Sequence, residues 1–403
     1  MRQRSRAVYA SAAVVAASLV LAVVAARHAA VAASSPLRPE GNWVWAWRVA
    51  LGVAFVAYVA GVLSLRRRRI RLTVIFAVAA VTQLAPLAGP LLLSTDAYTY
   101  WDYGRVAAVH DSNPYRTPPD RFPNDPAYMR MGANWHHETT IYGPVFTAVS
   151  QAHAGTAGDS AASATRFYRA LAAVSILVAA LLASLLSTRP GFAMAFVGWN
   201  PLLALHFAGG GHNDALMMAL ILGALLLIRR DRPNSAGPAW AAAIGVKWLA
   251  AAFLPLVLLA EHRRGRRLGL PGLVISAVAL GALATAQYGT AWPRAAGRLA
   301  HQARATGSIG LSKWLGDAGL AHRPTVVLLA LGQIALYAWL LRQAWRGRAR
   351  LGIAGVGLAA LQGWLNPWYA SWGVTLSAAD DDRLAQGLSI LLTGFLLRDA
   401  IPL

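Results

Sequence analysis

Apolar and polar residues fall into long blocks along this chain rather than alternating. Apolar runs lie near 8–33, 43–64, 70–93, 166–187, 191–208, 212–228, 268–288, 323–341, 351–366 and 383–398. Each approaches or exceeds the ~20 residues that a bilayer-spanning helix needs. In lipid a backbone must satisfy its own hydrogen bonds, so such runs predict helices. The pattern therefore predicts an all-α polytopic membrane protein, a bundle of about 10–12 transmembrane or re-entrant helices. The first run follows the basic start MRQRSR, and its length predicts a retained signal-anchor rather than a cleaved leader.

One block resists a single crossing. Gly237–Glu261 (GPAWAAAIGVKWLAAAFLPLVLLAE) carries Lys247 at its middle and lies between two basic runs. A single crossing separates those runs, whereas two half-helices meeting near Lys247 keep both on one side. The second arrangement is favoured, and broken backbone at that depth requires a cavity or protein around it. Residues 94–165 form the largest segment outside the membrane. They contain the proline-rich DSNPYRTPPDRFPND and a shorter apolar piece, Tyr142–Ala154, which predicts an interfacial helix. No internal repeat or low-complexity linker is visible.

Composition agrees with the pattern: 57% of residues are hydrophobic and 13% charged, with a mean hydropathy of +0.46. The +21 formal charge sits largely in short runs, Arg66–Arg71, Arg229–Arg232, His262–Arg267 and Arg342–Arg350, each bordering an apolar segment. That is the distribution of cytoplasmic loops under the positive-inside rule, and it places Asp96 on the opposite, outer side. No basic domain stands apart from the helices, so nucleic acid is not the partner expected. Without cysteine, neither a disulfide framework nor a thiolate site is available.

Ionisable groups near membrane depth are costly and mark candidate sites. Asp96 opens the stretch TDAYTYWDYGR, with Tyr98, Tyr100, Trp101 and Tyr103 forming an aromatic belt and Arg105 adding charge. The sequence GGGHNDALMMAL (Gly209–Leu220) sets His212, Asn213 and Asp214 at the entry to a helix. Asn213 or Asp214 fits an N-cap, and a helix N-terminus with His212 beside it also suits a phosphate. Lys247 must reach water or an anion. In GWLNPWYASWG (Gly363–Gly373), Pro367 breaks the span, and the aromatics suit either an interfacial belt or a sugar site. His136, His137 and Glu138 are adjacent, but neighbouring residues on a helix point apart and no further ligand is spaced to join them, so no metal site is assigned. Asp96, His212–Asp214, Asn366–Tyr369 and Lys247 converge on the outer side. Such a set suits a lipid phosphate held by helix ends and cations while a carboxylate acts on a second substrate.

At these residues the chain resembles the GT-C superfamily of polytopic glycosyltransferases. It is most similar to the actinobacterial polyprenol-phosphate-mannose-dependent α-(1→6)-mannosyltransferases of lipomannan assembly. The pieces that carry the resemblance are TDAYTYWDYGR with NPY downstream, TIYGPVF, GGGHNDALM, VKWLAA and NPWYASW, in order over about 280 residues. The resemblance implies one membrane-embedded catalytic domain over 1–403, with the catalytic loop at 94–165. It implies a plasma-membrane enzyme with its site on the extracytoplasmic side, a polyprenyl-phosphate mannose donor, a mannoside or lipoglycan acceptor, and inversion at the anomeric carbon. Asp96 maps onto the catalytic base. Lys247, His212, Arg105 and Asn213 are expected at the donor phosphate, and Tyr98, Trp101, Tyr115, Tyr142, Asp214, Trp368 and Tyr369 around the sugar and acceptor. No cofactor is expected to be required, with an assisting divalent cation as the alternative. Another sugar (arabinose or glucose), an α-(1→2) linkage, or a transporter or flippase of lipid-linked sugars remain the alternatives; a transporter needs polar access from both faces, an enzyme from one.

Overall fold

The computed structural model describes residues 2–28, 43–68, 70–302 and 305–400. Part of the first apolar run, residues 29–33, lies outside the described residues, as does Arg69 of the first basic run. The helices follow the apolar blocks closely. α1 (Arg2–His28), α2 (Trp43–Leu65) and α3 (Leu72–Leu84) are followed by a short turn of 3-10 helix at Ala85–Ala88. α4 (Asp96–Ala108) and α5 (Pro144–Ala157) belong to the 94–165 segment, and α6 (Ala161–Leu186) follows it. α7 (Pro190–Gly198) and α8 (Pro201–Ala204) continue into a π-helical turn at Leu205–Gly209. Next come α9 (Asp214–Arg229), α10 (Pro233–Val246), α11 (Leu254–Arg263), α12 (Leu270–Tyr288), α13 (Arg294–Gln302) and α14 (Leu311–Asp317). α15 (His322–Trp345), α16 (Leu351–Ala360), α17 (Ala370–Asp380) and α18 (Arg383–Ala400) complete the described chain.

Five of these helices are long and apolar enough to cross a membrane, or six crossings if the pair Pro190–Gly198 and Pro201–Gly209, bent by 49°, counts as one. Pro201 explains the bend, since it has no N–H to donate across the break and its ring crowds the preceding turn. The other apolar blocks form shorter helices. The run read as 351–366 is helical only to Ala360; the chain then turns through Asn366–Pro367, and a second short helix, α17, runs back beside it.

The basic runs gather at one end of the bundle. Arg66 donates to Gln386 at 2.9 Å, and Asp381 accepts from Thr188 at 2.7 Å. Arg350 bridges Asp382 at 2.8 Å, and Arg263 donates to the Trp345 carbonyl at 3.0 Å. The Gly237–Glu261 block is interrupted at Lys247, whose backbone is extended (φ −149°, ψ 123°). α10 ends there and α11 returns. Gly269, just beyond the HRRGRR run, packs on Pro233 at the start of α10, so both basic ends lie together, as two half-helices require. α16 and α17 make a second such hairpin, with Gly355 against the Trp372 backbone. At 1.5 Å per residue α10 is about 21 Å long and α16 about 15 Å, against about 39 Å for α6. Both hairpins therefore turn back before reaching the far end of the bundle, and their turns carry Lys247 and Trp368–Tyr369.

Candidate active site

The two hairpin turns, the start of α4 and the start of α9 meet in one place. Asp96 is the first residue of α4, and its backbone N–H donates to Ser94 Oγ at 3.1 Å. Its Oδ2 accepts from His212 Nδ1 at 3.1 Å and from the Tyr100 hydroxyl, one turn along, at 3.3 Å. The His212 ring is stacked on Trp368 with centroids 3.6 Å apart, so the side chain is clamped between the carboxylate and an indole. The carboxyl of Asp96 remains 18% exposed. Burial pushes that carboxyl up, but the His212 hydrogen bond and charge, Ser94 and the charge of Lys247 outweigh it and hold it below its ordinary value. It is therefore an anion at neutral pH, and a carboxylate has about four lone-pair sites, so it can accept a further proton donor.

Lys247 Nζ lies 2.7 Å from Asp214 Oδ2, with the carboxylate fully buried and the ammonium 17% exposed. Trp372 Nε1 donates to Asp214 Oδ1 at 2.7 Å, and the ammonium sits 5.1 Å from the Tyr369 ring centroid. Asp214 thus fixes Lys247 while two of the three ammonium N–H groups stay uncommitted. Asn213 does not cap α9 through its side chain; both polar atoms of that buried amide lack a hydrogen-bond partner among the described residues.

Two devices hold these parts in register. Arg169, buried on α6, donates to the Ala208 carbonyl at 2.7 Å, to Gly89 at 3.1 Å and to Pro86. It ties the turn before Asp96 to the π-turn before His212, and Leu92 N–H donates to Gly209 at 2.9 Å alongside. On the other side Gly143 lies so close to α10 that a Cβ would fall 2.2 Å from the Gly245 carbonyl oxygen. That approach sets Tyr142 beside Tyr100 (centroids 5.0 Å).

Several expected site residues lie elsewhere, for a reason in the helix period of 3.6 residues per turn. Counting from Asp96 on α4, Tyr100 falls on the same face, whereas Tyr98, Trp101 and Arg105 point away. Arg105 is consumed by Asp125 at 2.8 Å, Asp159 at 2.7 Å and the Gly158 carbonyl at 2.7 Å, and it stacks on Trp101. It has no free donor facing Asp96, which corrects its assignment to the phosphate. Trp101 is fully buried and is a packing residue. Asp214 spends both oxygens on Lys247 and Trp372 and is fully buried, so it holds the lysine rather than a sugar. Tyr115 donates to the Tyr142 carbonyl at 3.0 Å and packs on Tyr288, a layer behind the site. His212, expected at the phosphate, faces the Asp96 carboxylate instead. His137 pairs with Asp120 at 2.8 Å and His136 stacks on Tyr128. Among the described residues no group of three or more histidines and carboxylates is placed to hold a metal. Tyr100, Trp372, Ser94 and Arg169 were not among the expected site residues.

Comparison with known proteins finds the family that the motifs resemble. Residues 5–263 match the family described as alpha-(1->6)-mannopyranosyltransferase, N-terminal domain. A probable alpha-(1->6)-mannopyranosyltransferase of Mycolicibacterium smegmatis is 27% identical over 370 residues, 76% of this chain and 65% of that protein. Alpha-(1->6)-mannopyranosyltransferase B of Corynebacterium glutamicum is 27% identical over 350 residues, 74% of this chain and 58% of its own length. Alpha-(1->6)-mannopyranosyltransferase A of Mycobacterium tuberculosis is 32% identical over 190 residues, 44% of this chain and 36% of that protein. The chain thus matches less than two thirds of the length of each of these relatives. No solved structure matches.

Proposed function

We propose that this chain, which belongs to the alpha-(1->6)-mannopyranosyltransferase family, transfers mannose from a polyprenyl-phosphate mannose to a mannoside or lipoglycan acceptor. The observation that carries the reading is the pairing of an ionised, partly open carboxylate, Asp96, with a lysine held inside the bundle by a buried partner. In this reading an acceptor hydroxyl attacks the anomeric carbon while Asp96 takes its proton. The new C–O bond forms as the bond from the anomeric carbon to the phosphate oxygen breaks, inverting the centre, and polyprenyl phosphate leaves with the electron pair. Lys247 meets the charge that grows on that phosphate, assisted by the free N–H groups at the start of α9. The assignment gives the neutralising role to a cation of the chain and needs no divalent ion. His212 and Tyr100 orient Asp96, and Tyr142, Trp368 and Tyr369 supply faces for the sugars. The buried amide of Asn213 supplies hydrogen bonds to a bound group. The gathering of the basic runs at the other end of the bundle supports a site on the extracytoplasmic side of the plasma membrane, since the positive-inside rule assigns such runs to the cytoplasm.

The test is transfer by the purified chain in lipid, using radiolabelled polyprenyl-phosphate mannose and a short α-mannoside. The expected result is an elongated α-linked product from the lipid donor and none from a nucleotide-linked mannose. Product from the nucleotide sugar alone overturns the donor assignment.

A further inference from the structure

At the opposite end of the bundle, independent of the site above, the helices enclose a cavity of about 390 Å³. Its size falls among small-ligand sites, which run about 300–1,000 Å³. Five arginines reach its wall: Arg229, Arg264, Arg266, Arg348 and Arg350. Three carboxylates share it, Glu261, Asp380 and Asp382. Their pairing leaves positive charge over. Glu261 takes both Arg264, at 2.6 Å, and Arg266, at 3.3 Å. Asp382 takes Arg350, and Asp380 accepts from the Gly352 N–H at 3.1 Å. Arg229 donates to the Leu186 carbonyl and forms no ion pair among the described residues. Arg348 is exposed; its backbone N–H donates to the Gln343 carbonyl at 3.0 Å, and its side chain makes neither hydrogen bond nor ion pair among them.

The floor has a different character. Leu225 and Ile228 of α9 and Val257 of α11 line it. A small inorganic anion would meet the arginines and leave that floor uncovered, whereas a phospholipid presents a phosphate and an apolar glycerol ester together. The cavity also opens where the chain's basic runs gather, the level at which anionic headgroups lie and at which basic pockets between helices recruit them. It is separate from the Asp96 site, since α9 carries Asp214 at one end and Arg229 at the other, about 22 Å apart at 1.5 Å per residue. We propose that this cavity is a binding site for the phosphate group of an anionic membrane lipid, with Arg348 and Arg229 as its cations and the α9–α11 floor covering the lipid's apolar part.

The experiment uses the full chain in detergent. Native mass spectrometry and thermal unfolding are compared after addition of phosphatidylglycerol, phosphatidylcholine or inorganic phosphate. Phosphatidylglycerol is expected to be retained and to raise the unfolding temperature, with the other two giving neither effect. The Arg348 side chain has no partner to lose among the described residues, so Arg348→Gln and Arg348→Glu are expected to fold. Losing one charge-assisted contact weakens phosphatidylglycerol binding by about tenfold. Arg230→Glu, a neighbouring exposed arginine outside the cavity wall, is expected to bind as wild type does. Equal weakening by Arg230→Glu means that only general surface charge is at work and overturns the site. Inorganic phosphate stabilising the chain as well as phosphatidylglycerol overturns the lipid assignment, and so does no loss of binding in Arg348→Glu.

Discussion

Replacing Asp214 by Asn removes the counter-ion of Lys247 while leaving an amide oxygen that can still accept from Trp372 Nε1. The carboxylate is fully buried and the ammonium 17% exposed, so water replaces little of what is lost. Breaking a buried pair by removing one partner costs about 3–5 kcal/mol. An independent ceiling comes from letting Lys247 shed its proton: taking a lysine from its ordinary 10.4 to neutrality at pH 7 costs about 4.6 kcal/mol. The two figures agree, so Asp214→Asn is expected to lower unfolding stability by about 3–5 kcal/mol. Lys247→Met strands the carboxylate instead and loses a similar amount. The double variant removes both charges and is expected to return to within about 2 kcal/mol of wild type, a coupling of several kcal/mol. Equilibrium unfolding by sodium dodecyl sulfate in mixed micelles measures the four corners of this cycle. Mannosyl transfer by the folded double variant then separates the two roles of the lysine, and it is expected to stay low because the phosphate has lost its cation. Losses that simply add, or an Asp214→Asn variant as stable as wild type, would refute the argument.

Arg169→Met orphans the carbonyls of Pro86, Gly89 and Ala208 together, each costing about 1–3 kcal/mol when unsatisfied; the expected outcome is poor recovery of monodisperse protein, and normal recovery contradicts the account. Gly143→Ala must push the loop off α10, because its Cβ would meet backbone rather than a movable side chain. It is expected to lower both unfolding temperature and transfer, and an unchanged pair of values counts against the packing described. Asp102, buried on α4 near Asp125, has its carboxyl pushed up to about 8 by burial and by that neighbouring charge, with Arg105 opposing. An unfolded Asp loses its proton near 3.9, so between about pH 4 and pH 8 the unfolded state binds fewer protons and stability falls as pH rises. Asp102→Asn abolishes that slope, so its unfolding temperature relative to wild type is expected to climb from pH 5 to pH 8; a constant difference refutes the reasoning.

Much of this arrangement is legible in the sequence because lipid makes polar groups conspicuous. The break at Lys247 follows from a charge in the middle of an apolar block flanked by two basic runs, and the return of both runs to one end matches it. Asp96, His212, Lys247 and Trp368 stand out for the same reason, and the structure brings them together. What escaped the sequence depends on direction and partnership. Arg105 looked available beside Asp96, but nine positions along a helix is half a turn out of phase, and its partners Asp125 and Asp159 are 20 and 54 residues away in the chain. The Lys247–Asp214 pair joins two helices across 33 residues, so Asp214 could be read as a cap or a sugar contact with equal ease. Tyr100 was legible through its four-residue spacing from Asp96, which the aromatic-belt reading obscured. Arg169 lies near the start of an apolar run, where an arginine is expected to reach for water, and only the fold turns it inward to three carbonyls.

The most direct test of the central claim compares wild type with Asp96→Asn in transfer from polyprenyl-phosphate mannose, alongside donor binding and unfolding temperature for each. The amide keeps the size and the hydrogen-bonding positions near His212 and Tyr100 but cannot take the acceptor's proton. The account predicts a fall in turnover of about 10²–10⁴-fold, with donor binding and unfolding temperature close to wild type. Turnover by Asp96→Asn within a few-fold of wild type would contradict it.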